Sequence, residues 1–111
     1  MNANGMARGY MAKNMDVEKF SKHVLHCVKR ELEEWGYQAE IIQHWEQASL
    51  LIVFQINKDI FSLKLERSFI KQKQAQGPYA LDRYIWGQIK NQEITLIKDH
   101  YMITVFGSED I

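Results

Sequence analysis

Three short strand-like segments lie so close together in the sequence that they predict one antiparallel sheet. They cover residues 39–46, 49–56 and 59–69. Consecutive parallel strands need a long crossover between them, and these links are too short for one, so neighbouring strands must pair as hairpins. The middle segment is nearly all apolar, which indicates a central strand. The third alternates apolar and polar residues, which indicates a strand with one face toward solvent.

Two segments show the apolar spacing of helices. Residues 15–35 carry an apolar residue every three or four positions, with Asn14 as the predicted N-cap and Gly36 as the stop. Residues 79–90 form the second predicted helix, which Pro78 would start as its first helical residue. The polar stretch 71–78 between the third strand and this helix is predicted to be a surface loop.

A second hairpin is predicted from residues 93–97 and 101–106. The chain is therefore expected to be one α+β domain over residues 14–107, in the order α-β-β-β-α-β-β. We expect a mainly antiparallel sheet with both helices packed on one face. Residues 1–13 lack apolar periodicity and predict a disordered tail, and residues 108–111 predict a frayed end.

Composition narrows the compartment and the class of partner. Fourteen basic residues balance fourteen acidic ones, which argues against a protein that coats nucleic acid or membrane through bulk charge. The longest apolar run has five residues, whereas a membrane span needs about 20. The single cysteine, Cys27, cannot form an internal disulfide, and the N-terminal residues lack a continuous apolar run, so no signal peptide is expected. Both features favour a reducing compartment, so we expect a cytoplasmic protein.

Neither a metal site nor a catalytic site is expected. His23 and Cys27 lie one helical turn apart, but a structural zinc site needs four ligands, and His44 and His100 belong to other segments. The interpretation is a buried thiol beside solvated imidazoles. No phosphate-binding loop, nucleophile elbow or paired-cysteine motif occurs in the sequence, so no enzyme activity and no cofactor are predicted.

The most specific functional signal lies on the second predicted helix. Tyr79, Arg83, Trp86 and Lys90 share one stripe, opposite the aliphatic residues of that helix. Aromatic rings and cations that face away from a core are typical of a protein interface. Such rings can also stack nucleic-acid bases, with arginine at the phosphate. The alternative is that the N-terminal tail or the second hairpin covers the rings as a satellite core.

The charge distribution points to the same region. Residues 64–90 carry six basic and two acidic residues, a net charge of +4, and the rest of the chain carries −4. Lys71 and Lys73 extend the predicted partner-binding set of the stripe. This asymmetry suits an acidic protein surface, head-to-tail self-association or nucleic acid.

The order of the first five elements is similar to that of the double-stranded RNA-binding domain. That family places a lysine cluster at the start of its second helix, whereas this helix opens Tyr79-Ala80-Leu81-Asp82, so no RNA-binding residue is carried over. The longer order is similar to that of bacterial secretion chaperones, whose acidity and final helix are not seen here.

We therefore predict a protein-binding or adaptor domain, able to form a homodimer, with Tyr79, Arg83, Trp86, Lys90, Lys71 and Lys73 at the interface. The alternative is a sequence-tolerant nucleic-acid-binding domain that uses the basic segment 64–90.

Overall fold

The three predicted strands form one antiparallel sheet in the order β1-β2-β3. A computed structural model describes residues 5–107 of the chain. The strands are β1 (Ala39–Trp45), β2 (Ser49–Ile56) and β3 (Asp59–Glu66). β2 pairs with both neighbours, and its alternate residues Leu50, Ile52, Phe54 and Ile56 are buried on the inner face. The expected central strand is therefore confirmed.

Five helices accompany this sheet within residues 5–107. They are α1 (Gly5–Asn14), α2 (Val17–Glu34), α3 (Arg67–Gln76), α4 (Ala80–Lys90) and α5 (His100–Phe106). α2 packs against β1, α3 packs against β3, and α4 packs on α2 and α3. The core forms where these helices meet the inner face of the sheet. The α+β class is confirmed, although the element order differs from the predicted one in three places.

α2 is the helix that the sequence predicted over residues 15–35. Its N-cap is Asp16 rather than Asn14, and the Asp16 carboxylate accepts a hydrogen bond of 2.8 Å from the backbone N–H of Lys19. Such a cap stabilises a helix by about 1 kcal/mol. The helix stops before Gly36, whose φ of +92° is accessible to glycine at little cost.

The sequence predicted a disordered tail over residues 1–13, whereas α1 begins at Gly5. Residues 1–4 and the expected frayed end at 108–111 lie outside the described residues. α1 has no continuous apolar stripe, and its one fully buried side chain is Arg8. Its position therefore depends on a contact with a distant element, which no local sequence pattern reveals.

The predicted surface loop at 71–78 is wrong for most of its length, because α3 continues to Gln76 and β3 ends at Glu66 rather than Phe69. Lysine and glutamine are good helix formers, so a polar composition does not by itself indicate a loop. Ile70 is buried, and the Gln74 side-chain amide donates to the carbonyls of Ala12 and Met15. These hydrogen bonds dock α3 on the last turn of α1 and on the short link between α1 and α2.

The second predicted hairpin is also wrong. Residues 94–99 have no regular secondary structure, and the predicted last strand is helix α5. The Asp99 carboxylate caps α5 by accepting from the backbone N–H of Met102 at 3.0 Å. Tyr101, Met102 and Val105 are buried at helical spacing, which outweighs the strand preference of the β-branched residues at 103–105.

Candidate functional site

The predicted aromatic stripe of α4 lies inside the domain. Trp86 is 0% exposed and Tyr79 is 7% exposed, so the expectation that both rings face solvent is wrong. The Trp86 ring packs 5.2 Å from the Trp35 ring, measured between centroids. Tyr79 and Trp86 therefore follow the alternative prediction, in which other parts of the chain cover the two rings as a satellite core. α1 supplies part of the cover, since the Arg8 guanidinium lies 4.9 Å from the centre of the Tyr79 ring.

A buried polar network lies beside the Tyr79 and Trp86 rings. Arg8 donates two hydrogen bonds to the Asp82 carboxylate, at 2.7 and 2.5 Å, and a third to the Pro78 carbonyl. The Tyr101 hydroxyl donates to the same carboxylate at 2.6 Å and accepts from the Trp86 indole N–H at 3.0 Å. The network therefore joins α1, α4 and α5 through one carboxylate.

The electrostatics of this network keep Arg8 charged. Burial acts to lower the pKa of Arg8, but the hydrogen bonds and charge of Asp82 outweigh it and hold that pKa above its ordinary value. Burial, reinforced by the negative charge of Asp82, raises the pKa of Tyr101 well above its ordinary value. A buried ion pair of this kind fixes the position of α1, because either charge alone would be costly in the interior.

The basic side chains of the predicted interface do not form one cluster. Arg83 is exposed but donates to the Val105 carbonyl at 3.1 Å, and so links α4 to α5. Lys73 lies over the Phe69 ring, and Lys71 is exposed elsewhere on α3. Because Trp86 is buried, it cannot stack a nucleic-acid base. Nucleic-acid binding through phosphate contacts alone stays a prediction.

The His23 and Cys27 pair is brought together as helical spacing predicts. The Cys27 sulfur lies 3.5 Å from the His23 Nε2 atom. Burial lowers the pKa of His23 and raises the pKa of Cys27, so both groups favour their neutral forms. Among the residues from 5 to 107, no group of three or more histidine, cysteine or acidic side chains is placed to hold a metal ion.

The side of the sheet opposite the core is a second candidate surface, one that the sequence analysis did not single out. We call it the outer sheet face. Ile42 is 62% exposed and Ile60 is 69% exposed, whereas the residues facing the core in β2 are fully buried. The register arranges its side chains in three rows: Glu40, Gln55 and Ile60; then Ile42, Val53 and Ser62; then His44, Leu51 and Lys64.

Charge and apolar area have a definite arrangement on this face. Glu40 and Lys64 occupy opposite corners of this array of three rows. The aliphatic residues lie on or beside the other diagonal, which joins His44 to Ile60: Ile42, Leu51, Val53 and Ile60. The Glu40 side chain is 70% exposed and makes one long ion pair, 3.7 Å, with Lys29 of α2. The alternation in β1 and β3 was the signal for this face, since every second residue of a one-sided sheet must point away from the core.

A cavity lies between α4, the segment 94–98 and α5. We call it the α4–α5 pocket; its volume is about 510 Å³. Gly87, Leu96 and Phe106 are half-buried at its wall, and the ammonium-bearing side chains beside it are Lys90 and Lys98. Trp86 borders the pocket from the buried side. Two members of the predicted stripe, Trp86 and Lys90, are therefore brought to one cavity.

The pocket beside His100 is smaller, about 130 Å³, and its other lining residues include Glu31 and Asp99. Ligand sites typically span about 300–1,000 Å³, so this one is too small for most substrates. His44 lies on the outer sheet face, in a different part of the fold. The structure therefore does not bring the two histidines into one cleft.

Comparison of the chain with protein-family models, with curated proteins and with solved structures finds no match. No helix within the described range 5–107 is long and apolar enough to cross a membrane.

Proposed function

We propose that this chain is a protein-binding domain that associates with a second copy of itself through the outer sheet face. The observation that carries the proposal is the exposure of Ile42 and Ile60, 62% and 69%, on a face that also presents Leu51 and Val53. Large aliphatic side chains grouped on one exposed face are typical of interaction surfaces. The proposal moves the predicted interface from α4 to the sheet.

The charge pattern favours a second copy as the partner. A two-fold axis along the diagonal through His44 and Ile60 would place Glu40 of each copy over Lys64 of the other. The same rotation would set Ile42 over Leu51 and would bring the two Val53 side chains together. Strands lie about 4.8 Å apart and alternate residues about 6.8 Å apart, so this rotation sets the strands of the two copies at about 70° to each other. The face is thus complementary to itself, as a two-fold interface must be.

The small size of the outer sheet face predicts a weak association. Nine side chains per copy are fewer than the 20–30 residues per side of a standard stable interface. We therefore expect a weak dimer whose population rises between about 10 μM and 1 mM protein, a range typical of small interfaces. Sedimentation velocity over that range measures the population.

Charge reversal tests the arrangement. Glu40→Lys and Lys64→Glu should each weaken the dimer, because each places like charges together twice across the two-fold axis. An equimolar mixture of the two variants should restore association, because a dimer with one copy of each regains both opposite-charge contacts. Lys71→Glu, on exposed α3, is the matched control and should leave association unchanged.

The outcomes of this experiment are distinct. Association that survives both single reversals, or a mixture no more associated than either variant alone, would contradict the proposed interface. A wild-type chain that stays monomeric at about 1 mM would contradict self-association itself. Salt-sensitive binding of single-stranded RNA by a monomer would instead favour the nucleic-acid alternative.

A further inference from the structure

Gly87 occupies a position in α4 that the fold of the monomer does not require to be glycine. A Cβ atom built on it meets no other atom within 4 Å, and its φ lies outside the left-handed region. Glycine inside a helix is less stable than alanine by about 0.5–1 kcal/mol. Neither steric crowding nor backbone geometry explains the residue.

The location of Gly87 suggests what the missing side chain leaves room for. Gly87 lines the α4–α5 pocket, so its bare backbone forms part of the pocket wall. Glycine commonly occurs where a backbone must let a ligand approach closely. The pocket volume of about 510 Å³ lies within the range of about 300–1,000 Å³ that is typical of small-molecule sites.

The lining of the pocket indicates the chemistry of that ligand. Its apolar wall is made by Ile94, Leu96 and Phe106, which favours an apolar ligand body. Lys90 and Lys98 supply positive charge beside that wall, and no acidic side chain is found among its described lining residues. A ligand that satisfies both features has an apolar body and a single anionic head group.

From these observations we propose that the α4–α5 pocket binds a small amphipathic carboxylate, with its alkyl or aryl body against Gly87, Leu96 and Phe106 and its carboxylate toward Lys90 and Lys98. The proposal goes beyond self-association, since the pocket and the outer sheet face share no residue. Charge-assisted hydrogen bonds from lysine would distinguish a carboxylate from a neutral or cationic head group.

Isothermal titration calorimetry with three probes of equal chain length tests the head-group preference. Decanoate should bind, and decanol and decyltrimethylammonium should bind at least about tenfold more weakly, a difference of one charge-assisted contact. Lys90→Gln should weaken decanoate binding by about threefold to tenfold. Lys58→Gln, in the turn between β2 and β3, is the matched control and should leave binding unchanged.

A second pair of variants tests the site itself. Gly87→Leu should occupy the part of the pocket next to α4 and weaken decanoate binding at least tenfold, about the effect of losing the apolar contact. Thermal unfolding of Gly87→Leu reports whether the variant still folds. If it does not fold, the smaller substitution Gly87→Ala replaces it in the binding measurement. Both measurements are independent of the oligomeric state. A negative result would therefore contradict ligand binding in the α4–α5 pocket without contradicting self-association through the outer sheet face.

Three results would overturn the proposal. One is the absence of decanoate binding up to about 1 mM. The second is equal binding of all three probes, which would indicate non-specific apolar contact. The third is unchanged decanoate binding by a folded Gly87→Leu variant.

Discussion

Arg8 of α1 and Asp82 of α4 lie 74 positions apart in the chain and form a two-hydrogen-bond ion pair, with side chains only 1% and 0% exposed. The Tyr101 hydroxyl of α5 also donates a hydrogen bond to the Asp82 carboxylate. Three helices thus meet at one buried charge. Because an unpaired buried charge is costly, the pair couples the position of α1 to the integrity of the core.

We predict that replacing one member of this ion pair destabilises the domain more than replacing both members with apolar residues. Arg8→Met and Asp82→Leu should each lower the free energy of unfolding by about 3–5 kcal/mol, because each leaves one buried charge unpaired. The double variant should lose less than the sum of the two. Urea denaturation of all four proteins measures the coupling.

The control for that cycle is an ion pair at the surface. Glu18 accepts from Arg67 at 3.0 Å, and both side chains are partly exposed. Glu18→Gln should therefore lower the free energy of unfolding by less than about 1 kcal/mol. Additive losses in the Arg8 and Asp82 cycle would show that the two charges do not stabilise each other.

Trp86→Ala should destabilise the fold rather than remove a binding contact. The side chain is fully buried and donates to the Tyr101 hydroxyl, so its loss should lower the free energy of unfolding by about 3–5 kcal/mol. Trp86→Phe keeps most of the ring volume and should cost less. Denaturation and near-ultraviolet circular dichroism measure both effects. A fully stable Trp86→Ala variant would contradict the burial of this ring.

Stability should fall at acid pH in part through Asp99. Burial raises the pKa of Asp99, but its side-chain hydrogen bond with Glu31 and the hydrogen bonds that it accepts from the Met102 backbone N–H and the Trp35 indole outweigh burial and hold that pKa below 3.8. A group whose pKa is lower in the folded state stabilises the fold above its unfolded pKa. That contribution is lost as the pH falls through the lower, folded value.

The test compares the wild type with Asp99→Asn from pH 7 to pH 2. We expect the variant to be less stable at neutral pH, and we expect the difference in the free energy of unfolding to shrink below about pH 4. Glu46→Gln, which replaces an exposed carboxylate in the β1–β2 turn, serves as the control. A pH-independent difference would mean that the Asp99 charge does not contribute.

Two glycines should respond to alanine with opposite signs. Gly36 ends α2 with a φ of +92°, where an L-residue is strained, so Gly36→Ala should destabilise by about 1 kcal/mol. Gly87 is helical and its Cβ position is open, so Gly87→Ala should stabilise by about 0.5–1 kcal/mol. Thermal unfolding of both variants measures the shifts. Destabilisation by Gly87→Ala would mean that the pocket wall is tighter than the fold indicates.

The local patterns of the sequence predicted α2, the three strands and most of α4. In each of these elements, apolar residues recur at the period of the element itself, because one face must be buried. The exposed partners of that pattern, Ile42 and Ile60, follow from the same alternation. The outer sheet face was therefore implicit in the sequence, although its exposure depended on which side the helices would cover.

The sequence alone determined the α+β class, the antiparallel meander and the two amphipathic helices, because those features depend on contacts between near neighbours. Tertiary structure decided the rest. α1 is held by Arg8 through a charge 74 positions away, α5 is capped by Asp99 against a local strand preference, and Trp86 is covered by elements distant in sequence. Burial of a side chain is a property of the assembled fold, so a stripe on one helix cannot by itself reveal whether it faces water.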